Sequence, residues 1–116
     1  MSALVLIAED ELIVAIDVES IVEEAGYRVA CTCESVASTL AAIERLMPAC
    51  AVLDVRLLDG EVYPAADVLS AAGVPLIFHS GHADEANLRA RYPAAQVCPK
   101  PSSPSMLRAA LSRALG

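Results

Sequence analysis

Three runs of consecutive aliphatic residues divide the chain, and each has the length of a strand. Residues 3–8 are apolar at every position, which is the pattern of a parallel strand buried on both faces. Residues 49–53 and 74–78 repeat this pattern. A weaker, mixed stretch at 27–32 predicts an edge strand, and a short run at 96–98 predicts a last strand. The sequence therefore predicts five strands.

Between these runs, apolar residues recur at helical spacing. After the first strand, apolar residues occur at Val14 and then at offsets of 4, 7, 8 and 11 residues, which places them on one helix face. Similar faces predict helices within 36–47, 62–69, 84–91 and 103–114. Five alternations of strand and helix favour an open parallel α/β sheet with helices on both faces, in one domain that covers residues 1–116.

Composition narrows the possible functions. With 116 residues, 56% of them hydrophobic, the chain is long enough for one domain with its own core. Its 15 acidic residues against 8 Lys and Arg, a net charge of −7, disfavour binding to nucleic acid or to an anionic membrane. No apolar run approaches the roughly 20 residues of a membrane helix, and the first run has no signal-peptide pattern. We therefore expect a cytoplasmic protein.

The cysteines lack the spacing of a metal or redox motif. There are four, and no two of them form a CxxC pair. Cys31 and Cys33 are two residues apart on a predicted strand, so they are expected to share a face. We interpret all four as small buried hydrophobic residues with reduced thiols.

Polar residues that can bind a metal or take part in a reaction follow the predicted strands. Ligands of parallel α/β sheets bind beyond the carboxyl ends of the strands, so these residues are expected to meet at one edge. They are Glu9, Asp10 and Glu11 after the first strand, Asp54 after the second buried strand, Ser80 and Gly81 after the third, and Lys100, the only lysine, after the last.

This mixture of side chains suits phosphoryl chemistry. Crowded carboxylates are ligands for a hard divalent cation, Mg²⁺ above all. A serine hydroxyl and a lysine supply the hydrogen bond and the positive charge that a phosphoryl group requires, and one carboxylate can act as the nucleophile and form an acyl phosphate. The residue types alone predict Mg²⁺-dependent phosphoryl transfer to an aspartate.

The order of these elements resembles a known family. Glu9-Asp10, Asp54 at a strand end, Ser80 and Lys100-Pro101 together resemble the receiver domain of two-component response regulators over essentially the whole chain. The resemblance implies a flavodoxin-like sheet of strand order 2-1-3-4-5 with five helices. It also implies that Asp54 accepts a phosphoryl group from a histidine kinase or a phosphotransfer protein, and that the domain then signals to a downstream protein, whose identity stays open, through altered protein–protein interaction.

The resemblance also assigns the metal ligands. Asp10, helped by Glu9, would hold Mg²⁺ together with Asp54 and the backbone carbonyl of Arg56. No nucleic acid or membrane partner is implied for this chain.

Two further roles concern the phosphorylated state. Ser80 would move towards the phosphoryl oxygens, and Lys100 would pair with the phosphorylated Asp54. The Lys100-Pro101 peptide bond is commonly cis in this family.

The sequence departs from the commonest receiver pattern at the switch positions. Receivers usually carry an aromatic residue three positions before the conserved lysine, where this chain has Val97, and a threonine where it has Ser80. The segment 78–82 resembles the FATG variant of stand-alone receivers, in which an aromatic residue follows the glycine. Here that residue is His82, and one hypothesis is that His82 takes the place of the missing ring.

Other functions remain open at this stage. One is a Mg²⁺-dependent phosphatase with an aspartyl-phosphate intermediate, although phosphatases of the haloacid-dehalogenase type need a second aspartate where this chain has Arg56. Flavin binding on the same fold lacks a phosphate-binding loop after the first strand. A receiver that signals without phosphorylation is a further alternative. The chain ends after the last predicted helix, which is compatible both with a stand-alone receiver and with a receiver excised from a larger regulator. In either case we expect no output domain and no enzyme activity within these residues.

Overall fold

The computed structural model describes residues 3–116, apart from the side chain of His82. The strands are β1 (Leu4–Ala8), β2 (Arg28–Cys33), β3 (Cys50–Leu53), β4 (Arg56–Leu57), β5 (Gly60–Glu61), β6 (Leu76–Ser80) and β7 (Gln96–Pro99). The helices are α1 (Leu12–Glu24), α2 (Val36–Arg45), α3 (Tyr63–Ala71), α4 (Glu85–Arg91) and α5 (Pro104–Leu115). Within the described residues, none of these helices has the length and apolar character needed to cross a membrane.

Five of the strands form one parallel sheet in the order β2-β1-β3-β6-β7. The short strands β4 and β5 pair only with each other, as an antiparallel hairpin. With the hairpin set aside, the order is 2-1-3-4-5, and the expected fold class is confirmed. In register, Ala8 is aligned with Leu53, and Ser80 with Pro99, so the chain leaves neighbouring strands at nearly the same level.

Alternating side chains of the central strands separate two hydrophobic cores. Val5 and Ile7 of β1 face α1 and α5, whereas Leu6 and Ala8 face α2, α3 and α4. All four side chains are buried. Strands with two buried faces are apolar at every position, which explains why they were recognisable as continuous aliphatic runs.

An aromatic cluster fastens the C-terminal end of α4 to α3. The Tyr92 ring lies 5.2 Å from the Phe78 ring and 6.4 Å from the Tyr63 ring, measured between centroids. The Arg91 guanidinium lies 4.4 Å from the centroid of Tyr63 and 3.0 Å from the carboxylate of Asp67. The Tyr92 hydroxyl donates to the same carboxylate at 2.6 Å. Hydrogen bonds and ring contacts thus act together at this junction.

The third buried strand begins later than its sequence pattern suggests. It was expected at 74–78 and is found at Leu76–Ser80. The N–H of Val74 donates to the carbonyl of Leu69 at 3.0 Å, and Gly73 has a φ of 77°. Val74 therefore belongs to the glycine-dependent end of α3, and the apolar run extends across a helix terminus into a strand.

The β4–β5 hairpin was not predicted, although its Asp59-Gly60 pair was identified as a turn. Gly60 has a φ of 140°, a conformation that favours glycine. The Asp59 carboxylate accepts hydrogen bonds from the backbone N–H groups of Val36 at 2.6 Å and Ala37 at 3.1 Å. Asp59 thus caps the first turn of α2 from a distant part of the chain.

The cysteines behave as expected from their spacing. Cys31 and Cys33 share a face of β2, with their Sγ atoms 3.8 Å apart, and all four cysteines in the described part of the chain are free thiols. Cys33, Cys50 and Cys98 are buried, and burial raises the pKa of Cys50 to about 11. The thiol of Cys50 therefore remains protonated at neutral pH, and the three buried thiols pack as small hydrophobic groups.

Burial predicts the cost of truncating one helix residue. Leu69 of α3 is 0% exposed, so Leu69→Ala removes buried methyl groups and leaves a cavity. We expect it to lower the free energy of unfolding by about 2–5 kcal/mol, measured by urea denaturation. Leu58→Ala, at a position 65% exposed, is the matched control and should change the free energy by at most about 0.5 kcal/mol. Equal losses in the two variants would contradict this account of the core.

Candidate functional site

The polar residues predicted to meet at the carboxyl edge of the sheet do meet there. Glu9 follows β1, Asp54 follows β3, Ser80 ends β6 and Lys100 follows β7. The strand ladder holds the backbone at this level, because the Asp54 N–H donates to the carbonyl of Ala8 at 2.8 Å and the Lys100 N–H donates to that of Ser80 at 2.9 Å. Each site residue is therefore positioned by the sheet itself.

Lys100 is the positive centre of the site. Its Nζ lies 2.7 Å from Oε1 of Glu9, 3.0 Å from Oδ2 of Asp54 and 3.9 Å from Oε1 of Glu11. Burial works against the charged ammonium, but the hydrogen bonds to Glu9 and Asp54 outweigh it and raise the pKa of Lys100. Lys100 therefore remains protonated and reaches from the edge of the sheet to two interior strands.

Four carboxylates cluster beside this ammonium. Glu9, Asp10, Glu11 and Asp54 each offer one carboxylate oxygen, and these atoms all lie within 4.8 Å of one another. Among the described residues, Asp10 is the one member of this cluster without an ion pair to Lys100 within 4.0 Å. Clustered carboxylate oxygens are the donor set that Mg²⁺ prefers, so the site fits the ion that the sequence predicts.

Glu9 is the most buried of these carboxylates. Its burial raises its pKa to about 7, against the hydrogen bonds from Lys100 and from the Glu11 N–H, and the neighbouring charge of Asp54 raises it further. At neutral pH the cluster is therefore less negative than four ionised carboxylates would be. The same burial that places Glu9 beside Asp54 thus moderates the repulsion between the two.

Ser80 points to an acidic residue rather than to Asp54. Its hydroxyl donates to Oδ2 of Asp84 at 3.0 Å. Asp84 ends a single turn of 3₁₀ helix directly before α4, and its Oδ1 lies 3.6 Å from the guanidinium of Arg56. The side chain of Arg56 therefore lies beside Asp84, while the expected role of its backbone carbonyl in metal binding stays a prediction.

Two histidines lie near Ser80 in the sequence, His79 and His82. His79 is buried, and its Nε2 lies 2.9 Å from Oγ of Ser102. Burial lowers the pKa of His79, and the charge of Lys100 lowers it further, so the ring is neutral at pH 7. The hypothesis that His82 replaces an aromatic switch concerns a side chain outside the described part of the structure.

Position 97, where receivers usually carry an aromatic switch residue, holds a valine. Val97 lies on β7 and packs, partly buried, against the core that faces α2, α3 and α4. The rings on this side belong to Phe78, Tyr92 and Tyr63 instead. No large side chain at position 97 is therefore available to follow a movement of Ser80.

The structure brings together Glu9, Asp10, Glu11 and Asp54, the acidic residues that the sequence places at this edge, and Lys100 pairs with three of them. The residue that sequence reasoning missed is Asp84, which was taken only as the start of a helix. The sequence offers one clue to Asp84, because an acidic residue stands four positions after Ser80. A contact between the two residues can be inferred only when the turn between them is known.

This chain resembles known proteins in its three-dimensional structure. No family model matches the sequence, and no curated protein matches it. The receiver domain of the PhyR response regulator from Erythrobacter litoralis matches with a TM-score of 0.88 at 25% identity, over 98% of this chain and 90% of that domain. A response regulator receiver protein from Sinorhizobium medicae also gives a TM-score of 0.88 at 25% identity, over 98% of this chain and 94% of that protein.

A longer neighbour shares the same domain. The response regulator PhyR from Brucella abortus matches with a TM-score of 0.86 at 30% identity. The match covers 99% of this chain but 48% of that protein, so the chain spans about half the length of that regulator. The similarity to receiver domains that the motifs indicated is confirmed, and this chain has the fold of the response regulator receiver domains.

Proposed function

We propose that this chain is a phosphoacceptor domain that takes a phosphoryl group onto Asp54 and signals by a change in protein–protein interaction. The observation that carries the proposal is the contact of the Lys100 ammonium with Asp54, at 3.0 Å, inside a cluster of four carboxylates. A carboxylate oxygen of Asp54 would form a bond to phosphorus while the bond from phosphorus to the donor's imidazole nitrogen breaks.

Each neighbouring residue would serve that transfer. Lys100 would balance the charge that develops on the phosphoryl oxygens, and the hydroxyl of Ser80 would donate a hydrogen bond to one of them. Glu9, Asp10 and Asp54, with the backbone carbonyl of Arg56, would hold Mg²⁺, which supplies neutralisation of the phosphoryl charge. The donor set of clustered carboxylate oxygens supports this metal.

The surface beside the site supports a protein as the phosphoryl donor. Leu12 and Ile13 begin α1 directly after the acidic cluster, and they are 73% and 78% exposed. Ile16, one turn further along the helix, is also exposed. An exposed apolar patch of this kind is typical of a protein interaction site. We therefore propose a histidine kinase or a histidine phosphotransfer protein as the donor, with a separate downstream protein as the receiver of the signal.

We further propose that the protein is cytoplasmic and that it does not act as an enzyme. Four free thiols suit a reducing compartment. A phosphatase that uses the same intermediate needs an acid/base group near the nucleophile, and the position two residues after Asp54 carries the permanently charged Arg56. Hydrolysis of small phosphate esters should therefore be slow.

The first test is the mass of the intact protein after incubation with acetyl phosphate and Mg²⁺. We expect one phosphoryl adduct, and we expect it to be absent from Asp54→Asn and from a sample in which the metal has been chelated. Asp59→Asn is the matched control, because Asp59 caps α2 outside the site, and this variant should still form the adduct. An adduct on Asp54→Asn would place the chemistry elsewhere.

A second test uses the repulsion within the cluster. Asp10 is crowded by carboxylates without an ion pair to Lys100, so Asp10→Asn should raise the melting temperature of the metal-free domain. Mg²⁺ should stabilise the wild-type domain by about 1.4 kcal/mol at ten times its dissociation constant, and it should stabilise Asp10→Asn less.

The comparison is made by thermal unfolding with and without Mg²⁺, and Asp17→Asn, on the exposed surface of α1, serves as the control for the loss of one negative charge. A lower melting temperature for metal-free Asp10→Asn would contradict the picture of crowded carboxylates.

A further inference from the structure

The hydroxyl that the proposed function requires at Asp54 is engaged elsewhere in this structure. Ser80 is 2% exposed, and its O–H donates to Oδ2 of Asp84. A serine hydroxyl has one proton to donate. While Asp84 accepts it, no phosphoryl oxygen on Asp54 can, so Asp84 and a phosphoryl group compete for the same hydrogen bond.

Asp84 also makes a second contact, with Arg56. Its Oδ1 lies 3.6 Å from the Arg56 guanidinium, and Arg56 follows Asp54 by two residues. The Arg56 side chain is 70% exposed, so this ion pair contributes little by itself. The part-buried hydrogen bond from Ser80 is the stronger contact, because its donor is shielded from water whereas the Arg56 side chain is exposed.

The same carboxylate stands at the entrance to α4. Asp84 is the residue before the helix, yet its side chain accepts no hydrogen bond from the first turn, and its backbone is in the right-handed helical region. Aspartate is among the residues that cap helix N-termini best, usually from an extended backbone. In this structure the carboxylate is turned back to Ser80 instead, which ties the start of α4 to the end of β6.

We propose that Asp84 is a positioning residue that holds the unphosphorylated domain in its resting state by competing with the phosphoryl group for the Ser80 hydroxyl. This inference rests on the proposed phosphorylation of Asp54. When Ser80 turns to the phosphoryl group, Asp84 loses its partner and the first turn of α4 is released. The signal reaches the surface through a carboxylate, and no aromatic ring is needed at Val97.

Removal of Asp84 should therefore shift the domain towards its phosphorylated conformation. We expect Asp84→Ala to be phosphorylated by acetyl phosphate and Mg²⁺ about tenfold faster than the wild type, the order of effect of losing one hydrogen bond to a charged group. Asp84→Asn keeps an oxygen acceptor for Ser80 and should show a smaller increase. The rate is measured from the mass of the intact protein over time.

Two controls separate this mechanism from a general effect of charge. Glu85→Ala removes a carboxylate at the next residue, one that pairs with Arg89 at 3.2 Å, and its rate should stay within about twofold of the wild type. In a Ser80→Ala background, Asp84→Ala should no longer raise the rate, because the bond that it breaks is already absent.

A second readout follows α4 directly. In unphosphorylated Asp84→Ala, the backbone amide chemical shifts of Glu85–Arg91 should move towards their positions in the phosphorylated wild type. A variant that only loosens the fold would not shift them in that direction.

The possible failures are distinguishable. If the wild type takes no phosphoryl group, the proposed function is wrong, and this inference is wrong with it. If the wild type is phosphorylated but Asp84→Ala matches Glu85→Ala in rate and in the amide shifts of α4, the role of Asp84 alone is wrong.

Discussion

The carboxyl edge of the sheet depends on one ammonium group among four carboxylates. Lys100 extends from β7 at the edge, passes the end of β6 and reaches Asp54 after β3 and Glu9 after β1. Without this charge, two largely buried carboxylates would face each other uncompensated, which is among the most costly arrangements in a protein interior. The ion pairs therefore connect the ends of three strands, β1, β3 and β7, and hold Asp54 at the carboxyl edge of the sheet.

Much of this arrangement was predictable, because it follows from strand order. Aliphatic runs identify strands that are buried on both faces, and parallel strands deliver their following residues to one edge. Glu9, Asp10, Asp54 and Lys100 could therefore be brought together without coordinates. Their separation in sequence did not matter, since the sheet supplies the proximity.

The features that escaped prediction depend on hydrogen bonds that the pattern of apolar residues does not reveal. The third buried strand was placed too early because Val74 is apolar, although its N–H closes α3. Asp59 was recognised as part of a turn, but its capping of α2 links residues more than 20 positions apart. Asp84 was read as the start of a helix, and only the path of the backbone between Ser80 and α4 turns its carboxylate towards the site.

The aromatic cluster makes the tyrosine fluorescence of the domain sensitive to the position of α4. The chain has no tryptophan and three tyrosines, so its intrinsic fluorescence comes from tyrosine alone. Two of these, Tyr63 and Tyr92, stack at the junction of α3 and α4, and the Tyr92 hydroxyl donates to Asp67. A displacement of α4 that alters this stack or this hydrogen bond changes the surroundings of two of the three emitting rings. The state of the helix can thus be followed in solution without a label or an engineered probe.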